Sequence, residues 1–125
     1  MSGRVVHFEV PFDDADRARG FYREVFDWQI QSMPEMGYNM VSTGPNNEGM
    51  PSEPGYIGGG MMQRQAPVTT PVITMAVDDI DATLVAIEKN GGSSLGEKMA
   101  VGDMGFAAYF KDSEGNLMGL WQNAS

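Results

Sequence analysis

The chain lacks several residue types that common protein functions require. Its 125 residues contain no cysteine, which excludes disulfides, thiolate metal sites and cysteine nucleophiles. They contain one histidine, His7, so a metal site with two imidazoles from one chain is also excluded. Basic residues number eight against 17 acidic ones, and the net charge of −9 argues against nucleic acid or an anionic membrane as a partner.

Long apolar runs are also missing. No stretch approaches the ~18 apolar residues that a membrane span requires, and the opening sequence MSGRVVHFEV lacks the apolar core of a signal peptide. We therefore expect a cytoplasmic protein. An apolar content of 42% over 125 residues predicts a single folded domain with one core.

The first half of the chain predicts a β-α-β-β-β order of elements. A β-branched strand over Arg4–Val10 stops at a proline, and an aspartate pair then offers a helix N-cap. A helix over Ala15–Phe26 follows, with one apolar face formed by Ala18, Phe21, Tyr22 and Val25. Three strands complete the unit, with a loop over 43–54 before the last: Trp28–Met33, Tyr38–Ser42 and Tyr56–Gln63.

The same order restarts after a proline-bounded segment, 65–71. Val72–Val77 is a β-branched strand, and Asp78 or Asp79 caps the helix that follows. The helical face consists of Ile80, Thr83, Leu84 and Ile87, and a glycine pair ends the helix. Three strands again follow: Ser93–Met99, Gly105–Phe110 and Leu117–Gln122.

The two halves can be laid over one another as an internal repeat. Gly60-Met61-Met62-Gln63 matches Gly119-Leu120-Trp121-Gln122. Placing Val5–Val10 on Val72–Val77 pairs His7 with Thr74, and it puts Asp14 on Asp81. The sequence therefore predicts an α+β fold made of two similar β-α-β-β-β modules.

Three segments carry a family resemblance: VVHFEVPFDDADRARGFYREVFDW, VITMAVDDIDATLVAIEKNGG and AAYFKDSEGNLMGLWQ. They resemble the vicinal oxygen chelate superfamily, which includes glyoxalase I, bleomycin-resistance proteins and extradiol dioxygenases, and most closely its small glyoxalase-related members. The resemblance implies one domain over 1–125, with a first module to about 64, a linker at 65–71 and a second module from about 72. It also implies a curled eight-stranded mixed sheet around a cavity with the helices outside, and a homodimer.

The resemblance also implies where a metal would be held. In metal-binding members one ligand comes from the first strand and one from the last strand of each module. The corresponding positions here are His7, Thr74, Gly60 and Gly119. Glycine offers no donor and threonine is a poor ligand, whereas a divalent ion needs about three or four protein ligands. We therefore expect no metal site of the usual kind and no cofactor.

Strand alternation predicts which side chains would share a cavity instead. His7 and Glu9 fall on one face of the first strand and could act together as an acid–base pair. The expected ligand-binding positions on the matching strands are Thr74, Met62, Trp121, Gly60 and Gly119. Such an apolar hollow with few polar groups suits a small organic molecule, while Tyr22 and Tyr109 are possible further donors.

The sequence also fits other interpretations. The eleven methionines could fill the hollow, because methionine adapts to irregular gaps, and His7 could be purely structural. The leading hypothesis is a small-molecule binding protein or a metal-independent, lyase- or isomerase-like enzyme. The alternatives are a metal-dependent lyase or dioxygenase with His7 as a ligand, and a partner-binding dimer without chemistry.

Overall fold

The computed structural model of the protein describes residues 3–47 and 50–124. Within them eight strands belong to one mixed sheet and two short strands pair separately, with two α-helices. The fold is α+β, as the sequence predicts. The chain divides into two compact units, one over His7–Pro71 and one that joins residues 3–6 to 72–124.

The unit over His7–Pro71 has the predicted β-α-β-β-β order with one addition. Its sheet strands run in the order β2-β3-β6-β1. Their bounds are β1 Val5–Phe12, β2 Gln29–Met33, β3 Tyr38–Ser42 and β6 Gly58–Gln63, and helix α1 covers Ala15–Phe26. The expected loop at 43–54 carries the two short strands β4 Asn46–Asn47 and β5 Met50–Pro51, while its residues 48–49 lie outside the described residues.

Strand β1 continues two residues beyond the predicted end, through Pro11 to Phe12. Proline removes one N–H from a strand but leaves its carbonyl and side chain available. Phe12 accepts a hydrogen bond from the Arg64 N–H at 2.7 Å and packs in the core with Ile30, Val41 and Met61. The gain from burying Phe12 keeps the pairing with β6 in place.

Helix α1 has the predicted bounds but a different buried face. Asp14 caps it by accepting a hydrogen bond from the Arg17 N–H at 3.0 Å. Ala15, Ala18 and Tyr22 pack against the core, whereas Phe21 and Val25 are 55% and 56% exposed. The prediction that Phe21 and Val25 are buried was therefore wrong, because the face that contacts the sheet begins at Ala15.

The other unit repeats the same order. Its sheet strands run in the order β7-β10-β9-β8. Their bounds are β7 Val72–Ala76, β8 Ser93–Val101, β9 Gly105–Lys111 and β10 Leu117–Asn123, and helix α2 covers Ile80–Lys89. Ile80, Ala108, Phe110 and Leu120 form its core, and the Ile80 N–H donates to the Gln122 side chain at 2.7 Å. This bond ties the start of α2 to β10.

Within the described residues, helices α1 and α2 have 12 and 10 residues, and neither meets the length and hydropathy of a membrane-spanning helix.

Candidate functional site

The first candidate site lies on the face of the His7–Pro71 unit that is opposite to helix α1. Strands β1 and β6 are parallel neighbours, with His7 paired to Gly58 and Glu9 paired to Gly60. Phe8 and Val10, which alternate with them, pack against the core under α1. His7 and Glu9 therefore share one face, as the alternation predicts.

Tyr38 joins these two side chains. Its hydroxyl donates a hydrogen bond to Glu9 Oε2 at 2.9 Å, and the same oxygen lies 2.8 Å from His7 Nε2. Glu9 is only 9% exposed, and His7 and Tyr38 are half-buried. We call these three side chains the His7–Tyr38–Glu9 network.

The network specifies which nitrogen of His7 carries a proton. A tyrosine hydroxyl has one proton, and the Tyr38 hydroxyl donates it in the hydrogen bond to Glu9. The Tyr38 oxygen can then only accept from His7, so Nε2 of His7 is the protonated nitrogen. In the neutral ring Nδ1 keeps its lone pair, and the described residues give it no hydrogen-bond partner. His7 thus has one nitrogen available as a proton acceptor.

Burial and charge act in opposite directions on His7. Desolvation lowers the pKa of the imidazole below its ordinary value of 6.5, and the nearby negative charge of Glu9 offsets part of this effect. Burial is the larger of the two influences. His7 is therefore neutral at pH 7, which leaves Nδ1 able to take up a proton.

The two central glycines of β6 make room for two aromatic rings. A Cβ on Gly60 would overlap the hydroxyl end of Tyr38, and a Cβ on Gly59 would overlap the ring of Phe8. The Tyr38 ring covers β6 on the face that carries His7 and Glu9, and the Phe8 ring covers β6 on the face that packs in the core. The glycine at position 60 is therefore required by Tyr38, and the space of its missing side chain is filled by the hydroxyl that links His7 to Glu9.

The second unit shows a smaller version of this arrangement. Gly119 on β10 pairs with Thr74 on β7, and a Cβ at Gly119 would lie 2.6 Å from Thr74 Oγ1. Thr74 is 8% exposed. On the other side Gly119 pairs with Tyr109. In each unit a hydroxyl of a neighbouring strand therefore lies where a side chain would stand on a last-strand glycine, the Tyr38 hydroxyl at Gly60 and the Thr74 hydroxyl at Gly119.

Strand register corrects the predicted alignment of the two halves. Gly60 pairs with Glu9 and Gly119 pairs with Thr74, so Thr74 corresponds to Glu9 and not to His7. The helix caps agree, because Asp79 caps α2 as Asp14 caps α1. The match of Asp14 to Asp81 was wrong by two residues. A shift of two preserves the face of every strand residue, which is why the predicted faces still agree with the structure.

The remaining predicted residues lie on the same strand faces. Met62 pairs with Pro11 and is half-buried. Trp121 pairs with Ala76 and donates from Nε1 to Asn123 Oδ1 at 2.7 Å. A cavity of about 150 Å³ lies beside Trp121, lined by Arg4, Val6, Ala76, Val77, Asp78, Trp121 and Asn123.

Tyr22 stacks on Trp28 with ring centres 4.4 Å apart, so the role of Tyr22 is packing.

The donor set does not fit a divalent metal ion. Across residues 3–47 and 50–124, no three side chains of His, Cys, Asp or Glu lie close enough to hold one. At the Gly60 position a phenol hydroxyl fills the space, and it already bridges His7 and Glu9. Two ligands held apart by a tyrosine fall short of the three or four that such sites use.

Comparison with known proteins decides the family. The sequence model of the bleomycin resistance protein-like N-terminal family matches residues 4–44. A glyoxylase-like domain-containing protein of Didymella fabae is 30% identical over 124 residues, which cover 93% of this chain and 91% of that protein. The chain belongs to the vicinal oxygen chelate superfamily. It is one of its glyoxalase-like members.

A second relative of this glyoxalase-like chain is longer. CFP32 of Mycobacterium bovis, named as a candidate glyoxylase, is 30% identical over 120 residues. The match covers 87% of this chain and 41% of that protein, so the glyoxalase-like chain spans less than half of CFP32.

Solved structures agree with the superfamily fold. Methylmalonyl-CoA epimerase of Streptomyces coelicolor, in complex with 2-nitronate-propionyl-CoA, has a TM-score of 0.66 at 19% identity and covers all of this chain and 97% of its own. A hypothetical protein of Bacillus halodurans has a TM-score of 0.67 at 12% identity, with coverage of 100% and 97%. At these identities the likeness shows the fold alone.

Sequence reasoning missed Tyr38. It placed this residue correctly at the start of β3 but gave it no role. The available signal was Gly60, because a glycine in a strand often marks a close approach by a neighbour. The register of β3 against β6, with Met40 opposite Gly60, was needed to identify that neighbour.

Proposed function

We propose that this glyoxalase-like protein binds a small organic metabolite at the His7–Tyr38–Glu9 network and moves a proton on it without a metal. The observation that carries the proposal is the Tyr38 hydroxyl, which fills the space beside Gly60 and contacts both His7 and Glu9. A buried, connected acid–base group on a sheet face is a common element of enzyme sites.

The chemistry follows from the proton positions. Nδ1 of neutral His7 accepts a proton from a C–H or O–H of the ligand, and the ring becomes an imidazolium. Its Nε2–H still donates a hydrogen bond to the Tyr38 oxygen, and the Tyr38 hydroxyl still donates to Glu9, so the negative charge of Glu9 stabilises the cation through one hydroxyl. Return of the proton to another atom of the ligand isomerises it. If the electron pair left by the proton instead expels a group from the neighbouring carbon and that group takes the proton, the reaction is an elimination, which is lyase-like chemistry.

A binding protein without turnover is the form of this proposal that lacks the last step. Such a binding protein would use the same ligand site, and deuterium exchange of the bound ligand distinguishes it from an enzyme. The metal-dependent alternative, with His7 as a ligand, draws no support from the donor set around Tyr38.

The proposal includes three broader expectations that the sequence raised. The chain acts as one domain with modules at about 1–64 and 72–125, it is cytoplasmic, and it forms a homodimer. The exposed apolar side chains of Phe21, Val25 and Phe26 on α1 support a self-associating face. Size-exclusion chromatography with light scattering tests the dimer, and a monomer at micromolar concentration contradicts it.

A thermal-shift screen of small carbonyl, hydroxyl and amide metabolites tests the site. A ligand that binds the native state raises the melting temperature by mass action. We expect the shift to fall in Tyr38→Phe and Glu9→Gln but to persist in the matched controls Tyr56→Phe and Glu24→Gln. Equal shifts in all five proteins contradict the proposal.

Proton transfer is tested on the screen's ligand in D₂O. An enzyme exchanges one ligand C–H for deuterium, which proton NMR detects as loss of signal, and His7→Asn abolishes the exchange. Binding without exchange in the unaltered protein identifies a binding protein.

A further inference from the structure

A groove of about 150 Å³ lies on strands β2 and β3 of the His7–Pro71 unit. Its side-chain lining consists of Gln29, Gln31, Met40, Ser42 and Asn46. Ile30 and Val41 complete the floor with their backbone, since their side chains pack in the core. The polar groups are amides and a hydroxyl, which both donate and accept hydrogen bonds and carry no charge.

The groove and the network occupy the same sheet face. Met40 pairs with Gly60, the residue that Tyr38 covers, and Met40 follows Tyr38 by two positions on β3. Gln31 pairs with Met40 on the next strand. Neighbouring strands lie about 4.8 Å apart, so Met40 at the edge of the groove lies two strands, or roughly 10 Å, from His7 and Glu9 on β1.

The sheet strands of this unit offer nothing to neutralise an anion. From His7 onward they contain no lysine or arginine, and Glu9 is their one acidic residue. Arg19 and Arg23 lie on α1, and both donate hydrogen bonds to the strands. Arg19 donates to Asn39 Oδ1 on β3 at 3.0 Å, and Arg23 donates to the Ile30 carbonyl on β2 at 2.6 Å. A carboxylate or phosphate on this face would be repelled by the negative charge of Glu9, and the strands that form the face hold no lysine or arginine to attract it.

We propose that the groove is a subsite for the uncharged, hydrogen-bonding end of the ligand, such as a carboxamide or hydroxyl group, and that it disfavours anions. This rests on the proposed function, because it names the ligand class of the same sheet face. Ligand pockets commonly measure about 300–1,000 Å³, so a groove of this size holds one end of a ligand whose other end reaches His7.

Benzamide and benzoate provide a matched pair of probes, since they have the same shape and differ in charge. Binding is followed by NMR through the ring protons of His7, the single histidine, and through the methyl group of Met40 in protein with ¹³C-methyl methionine. Loss of one methyl signal in Met40→Leu assigns that resonance.

We expect benzamide to shift both resonances and benzoate to bind at least about tenfold more weakly. Gln31→Lys places a cation in the groove and should reverse this preference, whereas Gln65→Lys, an exposed control in the same unit, should not. Benzoate binding as well as benzamide in the unaltered protein overturns the inference, and so does a Met40 signal that neither probe moves.

The two proposals fail in different ways. If a probe shifts His7 but not Met40, the network still binds a ligand and the groove assignment is wrong. If benzamide shifts Met40 but never His7, the groove stands as a separate site and the proposed function loses its ligand site.

Discussion

The hydroxyl of Tyr38 lies in the space that a side chain at Gly60 would occupy. This relationship explains why residue 60 is glycine, since any Cβ there would overlap the Tyr38 ring. The phenol both excludes a side chain there and connects His7 with Glu9.

Replacing Gly60 with alanine should displace the Tyr38 hydroxyl from His7 and Glu9. The Tyr38 ring is held by two hydrogen bonds and cannot turn aside without losing them, so Gly60→Ala should lower the free energy of unfolding by about 1–3 kcal/mol. Chemical denaturation measures the change.

Gly20→Ala is the matched control for this substitution. Gly20 lies in α1, and a new Cβ there would meet nothing within 4 Å beyond its chain neighbours and its own helix backbone, so alanine should stabilise the protein by about 0.5–1 kcal/mol. In a Tyr38→Ala background Gly60→Ala should cost much less. An equal cost in both backgrounds would show that Tyr38 is not the obstacle.

Much of the fold was predictable from local pattern. The bounds of α1 and β3 were predicted correctly because cap residues and alternation act over a few positions. The exposure of Phe21 was missed, since its spacing fits a helical face and only the sheet determines which face is buried.

The site was only half predictable. Alternation along one strand placed His7 and Glu9 together, and it needs no knowledge of neighbours. Tyr38 reaches them across two strand pairings, from β3 to β6 and from β6 to β1, and such register is set by tertiary packing.

The pKa of His7 should lie below 6.5, because burial outweighs the attraction of Glu9. The unfolded chain then binds a proton at higher pH than the folded one. The free energy of unfolding therefore rises with pH from the folded-state pKa up to about 6.5, and this contribution is lost as pH falls through that window. Denaturation at a series of pH values measures it, and His7→Gln should flatten the slope.

Glu9→Gln should lower the pKa of His7 further, because it removes the negative charge that raises it. Proton NMR follows the single imidazole directly. A rise in pKa in this variant would contradict the assigned electrostatics.

Replacing Gly119 with alanine should be milder than replacing Gly60. The obstacle is Thr74 Oγ1, which can rotate about one bond, whereas a tyrosine ring must move as a whole. We expect a cost of about 1 kcal/mol, relieved by Thr74→Ala. A cost above that of Gly60→Ala would refute this ranking of the two positions.

Zinc and nickel should bind weakly to the purified protein. His7 and Glu9 supply two ligands and Tyr38 lies between them, so neither ion should bind stoichiometrically at micromolar concentration. Isothermal calorimetry measures the affinity, with His7→Ala as the control for non-specific sites. A tight, stoichiometric site that His7→Ala removes would restore the metal-dependent hypothesis.

The position of the proton on the His7 ring reports on the hydrogen bonds of the His7–Tyr38–Glu9 network. Nitrogen-15 NMR distinguishes the two neutral forms of the single imidazole. We predict a proton on Nε2 in the unaltered protein at pH 7, because Tyr38 donates to Glu9 and accepts from His7. In Tyr38→Phe this preference should be lost while the fold remains. A proton on Nδ1, or an unchanged spectrum in Tyr38→Phe, would contradict the account.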